Sequence, residues 1–143
     1  MPAQIDSAVR ILVLKLMLVR LPDMGAPSKD PVRALFVCQF NRRRSATAER
    51  VFAKDPTLEV RSAGTNDEAL VRINERMLDW ADVVFVMDDD QVRALRRLFP
   101  AHPAIASVVC LEIQDRYHFL DPQLVALLEE RTRPHLARLR GRG

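Results

Sequence analysis

Short, continuous apolar runs alternate along this chain with stretches in which apolar residues recur every three or four positions. The first pattern fits strands buried on both faces and the second fits amphipathic helices, so their alternation predicts successive β-α-β units. Arg33–Cys38 is the first apolar run, and Ala46–Lys54 follows as a helix with Ala48, Val51 and Phe52 on one face. Leu58–Arg61 predicts a second strand, closed by the small residues Ser62-Ala63-Gly64-Thr65. Leu70, Ile73, Met77 and Trp80 predict a helix over residues 70–80, and Asp82–Met87 predicts a third strand. Val92, Leu95 and Leu98 mark another helix, stopped by Pro100, and Ser107–Ile113 gives a fourth strand. The last helix is expected to start at Asp121-Pro122 and run to about Leu139, since Asp is a preferred cap and Pro suits the first turn.

Four strands alternating with four helices define an α/β class: a single doubly wound domain, its four-stranded parallel sheet covered by helices on both faces through right-handed crossovers. Sheets of this kind bind ligands beyond the carboxyl ends of their strands. The turn after the first strand, beginning at Cys38, is therefore where chemistry is expected. Pro22, Pro27 and Pro31 stand among small polar residues just ahead of that strand. They read as a linker, so residues 1–31 are expected to be an extension that is disordered or not translated, with Met17 and Met24 as other possible starts, and the domain to occupy residues 32–140.

Composition refines the picture. A chain of 143 residues, 48% hydrophobic, fills one core and is too short for two ordinary domains. The net charge of +3, carried mostly by arginine, suits an anionic substrate and would equally suit nucleic acid. Aromatic residues make up only 6% and form no base-stacking pattern, which argues against nucleic acid. The apolar stretch Ile11–Val19 is broken by Lys15 and falls well short of the roughly 20 residues that cross a bilayer, so no membrane span is expected. Arg20-Leu-Pro-Asp-Met follows it where a signal-peptide cleavage site would need small residues. With only two cysteines, Cys38 and Cys110, a disulfide framework has no basis, and a reducing, cytoplasmic location is expected. The oligomeric state is not encoded in any of these features.

The turn itself reads Cys38-Gln39-Phe40-Asn41-Arg42-Arg43-Arg44-Ser45, a cysteine and an arginine separated by five residues between a strand and a helix. A loop of this length can curl its backbone N–H groups inward as an anion nest, with the positive end of the following helix behind it. The same field stabilises a thiolate at the base of the loop. Arg44 can hold two oxygens of a phosphate in a planar fork, and Ser45 can donate to the sulfur. The bland alternative is a buried strand-end cysteine beside a solvated arginine patch; the strand-turn-helix setting favours the chemical reading.

At this point the chain resembles the low-molecular-weight protein tyrosine phosphatase family, whose loop typically reads Val-Cys-x-Gly-Asn-x-Cys-Arg-Ser. Val37-Cys38, Asn41 and Arg44-Ser45 match it. The likeness continues through Ser62–Thr65, Ala81–Asp88 and Asp121-Pro122, covers about residues 33 to 136, and is greatest toward a shortened bacterial branch described as predicted protein tyrosine phosphatases. The resemblance implies a phosphomonoester hydrolase working through a cysteinyl-phosphate intermediate, with no cofactor and no metal. It implies catalytic roles for Cys38 as nucleophile, Arg44 as clamp and Asp121 as general acid and then base. Gln39, Phe40, Asn41, Arg42, Arg43, Arg44 and Ser45 would bind the phosphate of a phosphorylated substrate, a phosphotyrosine protein among the candidates.

Three departures qualify what is implied. Phe40 stands where the family has Gly, Arg43 replaces the second loop cysteine, and the chain between Thr65 and the third strand is too short for the loop that usually carries an aromatic wall. They keep two alternatives open: a phosphate- or phosphoprotein-binding module with little turnover, and an arsenate reductase-like enzyme, although the latter needs relay cysteines and only Cys110 is at hand. Asp121-Pro122 is also what an ordinary helix cap looks like, and the two roles can coexist. Gln114–Leu120 either folds over the pocket with Asp115 and Tyr117 or is a plain surface turn. Asp88-Asp89-Asp90 is read as helix capping, His102, His118 and His135 as unconnected histidines, Cys110 as a small core residue, and the arginines from Arg131 to Arg142 as a solvated helix end.

Overall fold

The computed structural model describes residues 30–142. The expected extension, with the apolar stretch Ile11–Val19, lies outside the described residues apart from its last two positions. The described chain runs β1 (Val32–Cys38), α1 (Arg44–Phe52), β2 (Leu58–Gly64), α2 (Glu75–Trp80), β3 (Val83–Val86), α3 (Asp89–Leu98), a 3-10 turn (Pro103–Ser107), β4 (Val109–Cys110) and α4 (Pro122–Arg142). The four strands form one sheet in the order β2-β1-β3-β4, and every pairing is parallel. β1 is therefore flanked by β2 on one side and β3 on the other, so the chain leaves it at the point where strand order reverses.

The apolar residues of β1 alternate between two cores. Ala34, Phe36 and Cys38 face α1 and α4 through Ala48, Phe52, Leu124, Leu128 and Leu136, whereas Leu35 and Val37 face Leu78 of α2 and Leu95 of α3. Helices thus cover both faces, as the pattern predicts. Phe36 is stacked between two rings, Phe52 at 5.4 Å and Phe85 at 5.1 Å between centroids. These rings anchor the strand end that carries the cysteine. No helix among the described residues is long and apolar enough to cross a membrane.

Two elements differ from the sequence reading. The helix expected over residues 70–80 begins only at Glu75, because Asn74 caps it by accepting from Met77 N at 3.0 Å. Residues 70–73 instead pair back onto the strand end: Gly64 N donates to Val71 O and Ile73 N to Gly64 O, which leaves Leu70 62% exposed. The strand expected over residues 107–113 shortens to Val109–Cys110. Pro103 opens the 3-10 turn that occupies the chain up to Ser107, and Glu112 adopts a left-handed φ of 55° that breaks extended geometry.

α4 continues through Pro134 to Arg142, and its arginines are committed inward more than a solvated end requires. Arg133 pairs with Glu129 and with Asp55, each at 2.7 Å, and lies over the Phe52 ring. Asp55 also accepts from the hydroxyl and amide of Thr57, and these contacts lower its pKa from 3.8 to about 2. A carboxylate with a depressed folded pKa contributes stability above its unfolded pKa and loses it as pH falls toward the folded value. The contribution at neutral pH is at most about 2 kcal/mol, less for the solvent that reaches the pair. Urea unfolding at pH 6 and pH 3 checks this: the parent should lose more stability across that window than Asp55→Asn, and parallel losses would refute the assignment.

Candidate active site

The residues after β1 form a closed curl. Asn41 turns it with φ of 58°, a left-handed conformation that Asn tolerates better than most residues. Asn41 is 3% exposed, and its side-chain amide donates to Ser45 Oγ at 2.9 Å and to Ser62 Oγ at 2.8 Å. Ser62 in turn donates to Glu49 on α1. Two hydroxyls and one carboxylate therefore hold the Asn41 side chain, and with it the backbone bend. The curl is also laced to the chain beyond β2, since Thr65 N donates to Cys38 O, Asn66 N to Gln39 O and Leu70 N to Phe40 O.

The curl delivers its donors to one atom. Asn41 N donates to Cys38 Sγ at 3.2 Å, and Ser45 Oγ lies 2.9 Å from the same sulfur. Cys38 is 3% exposed, so the sulfur sits at the floor of a cavity of about 200 Å³ lined by Cys38, Gln39, Phe40, Arg42, Arg43, Arg44 and Asp115. α1 starts at Arg44, immediately behind this floor, so the positive end of its dipole faces the cavity.

Arg44 is 2% exposed and is held from two sides. Its Nη1 donates to Asp88 Oδ2 at 2.7 Å and to Ile113 O at 2.8 Å. Its Nε is buried without a hydrogen-bond partner, 3.7 Å from Asp115 Oδ1. A buried guanidinium N–H without an acceptor is costly, which makes this a place where a further acceptor would be stabilising. Asp88 does two jobs: Oδ1 accepts from Asp90 N as the cap of α3, reinforced by the Gln91 capping box, while Oδ2 holds Arg44. The capping role is legible in the sequence; the grip on Arg44 is not.

The structure thus brings together all eight positions from Cys38 to Ser45 at the cavity or its sulfur, with Asn41 acting through its backbone amide. It does not bring Asp121 to that cavity. Asp121 stands just before α4, where its carboxylate accepts from Gln123 N at 2.9 Å. The carboxylate at the cavity is Asp115, in the segment that reads equally as a lid or a surface turn. Tyr117 from the same segment is 8% exposed and packs into the core beneath α4, so it forms no wall of the cavity. His102 caps the 3-10 turn and meets Asp79, and burial against Phe85 holds the His135 pKa down. Among the described residues no group of three or more His, Cys, Asp or Glu could hold a metal ion.

Gly64 is a site residue that motif reading alone does not single out. A Cβ there would lie 2.6 Å from Gln39 O, 2.6 Å from Ala69 Cβ and 3.0 Å from Asn41 N. The curl can approach β2 this closely only over a hydrogen atom.

No protein-family model and no curated protein matches the chain. Solved structures do. An arginine phosphatase, YwlE from Geobacillus stearothermophilus, aligns over 77% of this chain and 97% of its own with 20% identity and a TM-score of 0.60. The tyrosine phosphatase Wzb from Escherichia coli K30, solved with phosphate, aligns over 75% and 97% with 20% identity and a TM-score of 0.62. A low-molecular-weight phosphotyrosine phosphatase from Vibrio cholerae O395 aligns over 78% and 99% with 20% identity and a TM-score of 0.64. The fold is that of the low-molecular-weight protein tyrosine phosphatases.

Gly64→Ala is expected to displace the Gln39 carbonyl and the Asn41 amide and so to weaken vanadate binding by roughly tenfold or more, about 1.4 kcal/mol. Titration of vanadate against parent and variant, with circular dichroism to confirm folding, checks it; unchanged affinity would show that the curl does not depend on this close approach.

Proposed function

We propose that this chain is a cysteine-dependent phosphomonoesterase of the protein tyrosine phosphatase type. The observation that supports this most is the convergence on one sulfur: Asn41 N and Ser45 Oγ both meet Cys38 Sγ, at a cavity that Arg44 and Asp115 also line. Cys38 attacks phosphorus, the phosphorus-to-oxygen bond of the leaving group breaks, and a cysteinyl-phosphate forms. Water then cleaves the phosphorus-to-sulfur bond and releases inorganic phosphate. Backbone N–H groups of the curl and the guanidinium of Arg44 stabilise the equatorial oxygens, with no metal called for.

The leaving oxygen requires a proton when it departs from an unactivated ester. Asp115 is the carboxylate at the cavity, so the acid role falls to it, and Asp121 is read as the cap of α4. Asp115 then takes the proton of the attacking water in the second step. The substrate is a phosphorylated molecule, phosphotyrosine protein being the leading class, and a nucleophilic thiol of this kind fits a reducing cytoplasm.

Arsenate reduction is disfavoured by Cys110. Burial raises its pKa, and its thiol points at Asp89, which gives a poor relay nucleophile. With Arg43 at the place of a second loop cysteine, peroxide should oxidise Cys38 to acids that thiols do not reduce, so activity lost to peroxide should not return with dithiothreitol. Full return would reveal a resolving thiol.

The deciding experiment measures single-turnover phosphorylation across a series of aryl and alkyl phosphates. Cys38→Ser should abolish turnover yet still bind vanadate. Asp115→Asn should slow phenyl phosphate by about 100- to 10,000-fold and a strongly activated aryl phosphate far less, because the activated phenolate leaves unaided. Asp121→Asn, which preserves the cap, should match the parent. The reverse pattern would return the acid to Asp121, and turnover in Cys38→Ser would sink the mechanism.

A further inference from the structure

The aim of Asp115 is set chiefly by its backbone, because its side chain is 46% exposed and is held by a long ion pair to Arg44, at 3.7 Å. That backbone is unusual at both ends. Glu112 has φ of 55° and Leu120 has φ of 62°, so the segment between them is slung between two left-handed residues. Such a conformation is costly for a residue with a Cβ and persists only where its surroundings over-determine it.

At the Leu120 end the tie is visible: Leu120 N donates to Thr47 Oγ1 at 2.9 Å, and Thr47 is fully buried on α1, directly behind the phosphate curl. At the Glu112 end the tie is Arg131. Its Nη1 donates to Leu111 O at 3.0 Å and also to Glu112 O. In an extended strand successive carbonyls point to opposite sides. Two consecutive carbonyls can meet one guanidinium nitrogen only if the peptide between them has flipped, which is what the left-handed Glu112 accomplishes. Meanwhile Leu111 N and Ile113 N keep strand-like bonds to Val86 O and Met87 O at 2.8 and 2.7 Å, and Ile113 O accepts from Arg44. Arg131 is itself carried by a rigid support, since Leu124, Leu128 and Leu136 seat α4 on the sheet.

We infer that Arg131 is a positioning residue: it holds the flipped peptide at Glu112 and so aims Asp115 into the phosphate cavity. The inference rests on the role proposed for Asp115. It gives a catalytic purpose to one of the helix arginines that the sequence presents as a solvated end. Arg131 touches neither the cavity nor the substrate, so its effect is confined to the step that Asp115 serves.

The test compares Arg131→Gln with Arg131→Lys, a variant that keeps a cationic donor for the two carbonyls. Arg131→Gln should slow phosphorylation by phenyl phosphate by roughly tenfold to 100-fold, since misplacing a catalytic group by about 1 Å can cost that much. A strongly activated aryl phosphate should slow by less than twofold, and vanadate affinity should stay within about twofold. Arg131→Lys should recover most of the loss. A second readout needs no turnover: amide hydrogen exchange of Ile113 and residues 114–117 should quicken in Arg131→Gln and return toward the parent in Arg131→Lys. Equal slowing with both phosphates, unchanged rates in an active protein, or unchanged exchange overturns the inference. Should the parent itself release no phosphate from the activated ester, the phosphatase reading falls, and the exchange comparison alone then decides whether Arg131 holds the bend.

Discussion

A guanidinium buried to 2% exposure cannot be left without acceptors, and much of this site is arranged to supply them around Arg44. Nη1 takes Asp88 and the carbonyl of Ile113. The first acceptor fixes where α3 begins, because the same carboxylate caps that helix. The second fixes the path of the chain beyond β4, because Ile113 must turn its carbonyl toward the cavity. Nε is buried without a hydrogen-bond partner, 3.7 Å from the carboxylate of Asp115 at the cavity. A buried lysine could not impose this geometry, since an ammonium lacks the planar fork that divides its donors between scaffold and ligand.

The sulfur is handled by the opposite strategy. Among the described residues, the hydrogen-bonding neighbours of Cys38 Sγ are a backbone N–H and a serine hydroxyl. In the proposed mechanism, neutral groups fixed beside the sulfur leave no ion pair there for an incoming phosphate to break. Their fixity comes from Asn41, whose side-chain N–H groups go to Ser45 and Ser62, and from Gly64, whose missing Cβ lets the curl rest against β2. Phe40, at the place where the related loops have Gly, does not prevent the curl. The left-handed position that most needs a permissive residue is Asn41, one step further on.

Much of this was legible in the chain. The apolar runs give the four strands and their parallel arrangement, the spacing of apolar residues gives α1 and α3, Asp121-Pro122 marks the start of α4, and Cys38 to Ser45 is recognisable because it lies between a strand and a helix. The failures have a common cause, which is backbone pairing that leaves no mark on side-chain periodicity. Leu70 sits at helical spacing from Ile73, yet residues 70–73 bond back to Gly64 and only Asn74 starts the helix. Ile113 has the apolar character of a strand residue, yet Glu112 is left-handed. Asp121-Pro122 drew attention because Asp followed by Pro is a strong local signal. Asp115 carries no comparable signal, since it reaches the cavity from an irregular segment that follows the left-handed Glu112.

The left-handed turn at Glu112 shows how a site on a small sheet can assemble from distant sequence. β4 contributes two residues to the ladder and then ceases to be a strand, which frees the next carbonyls to face different directions. Leu111 and Glu112 turn theirs toward α4, and Ile113 turns its own toward Arg44. A longer β4 would alternate its carbonyls regularly and could not serve both arginines. The shortness of the edge strand is therefore a condition for the site: it converts the last edge of the sheet into a bracket between the helix that follows the curl and the helix that closes the domain, with one carboxylate projecting from its centre.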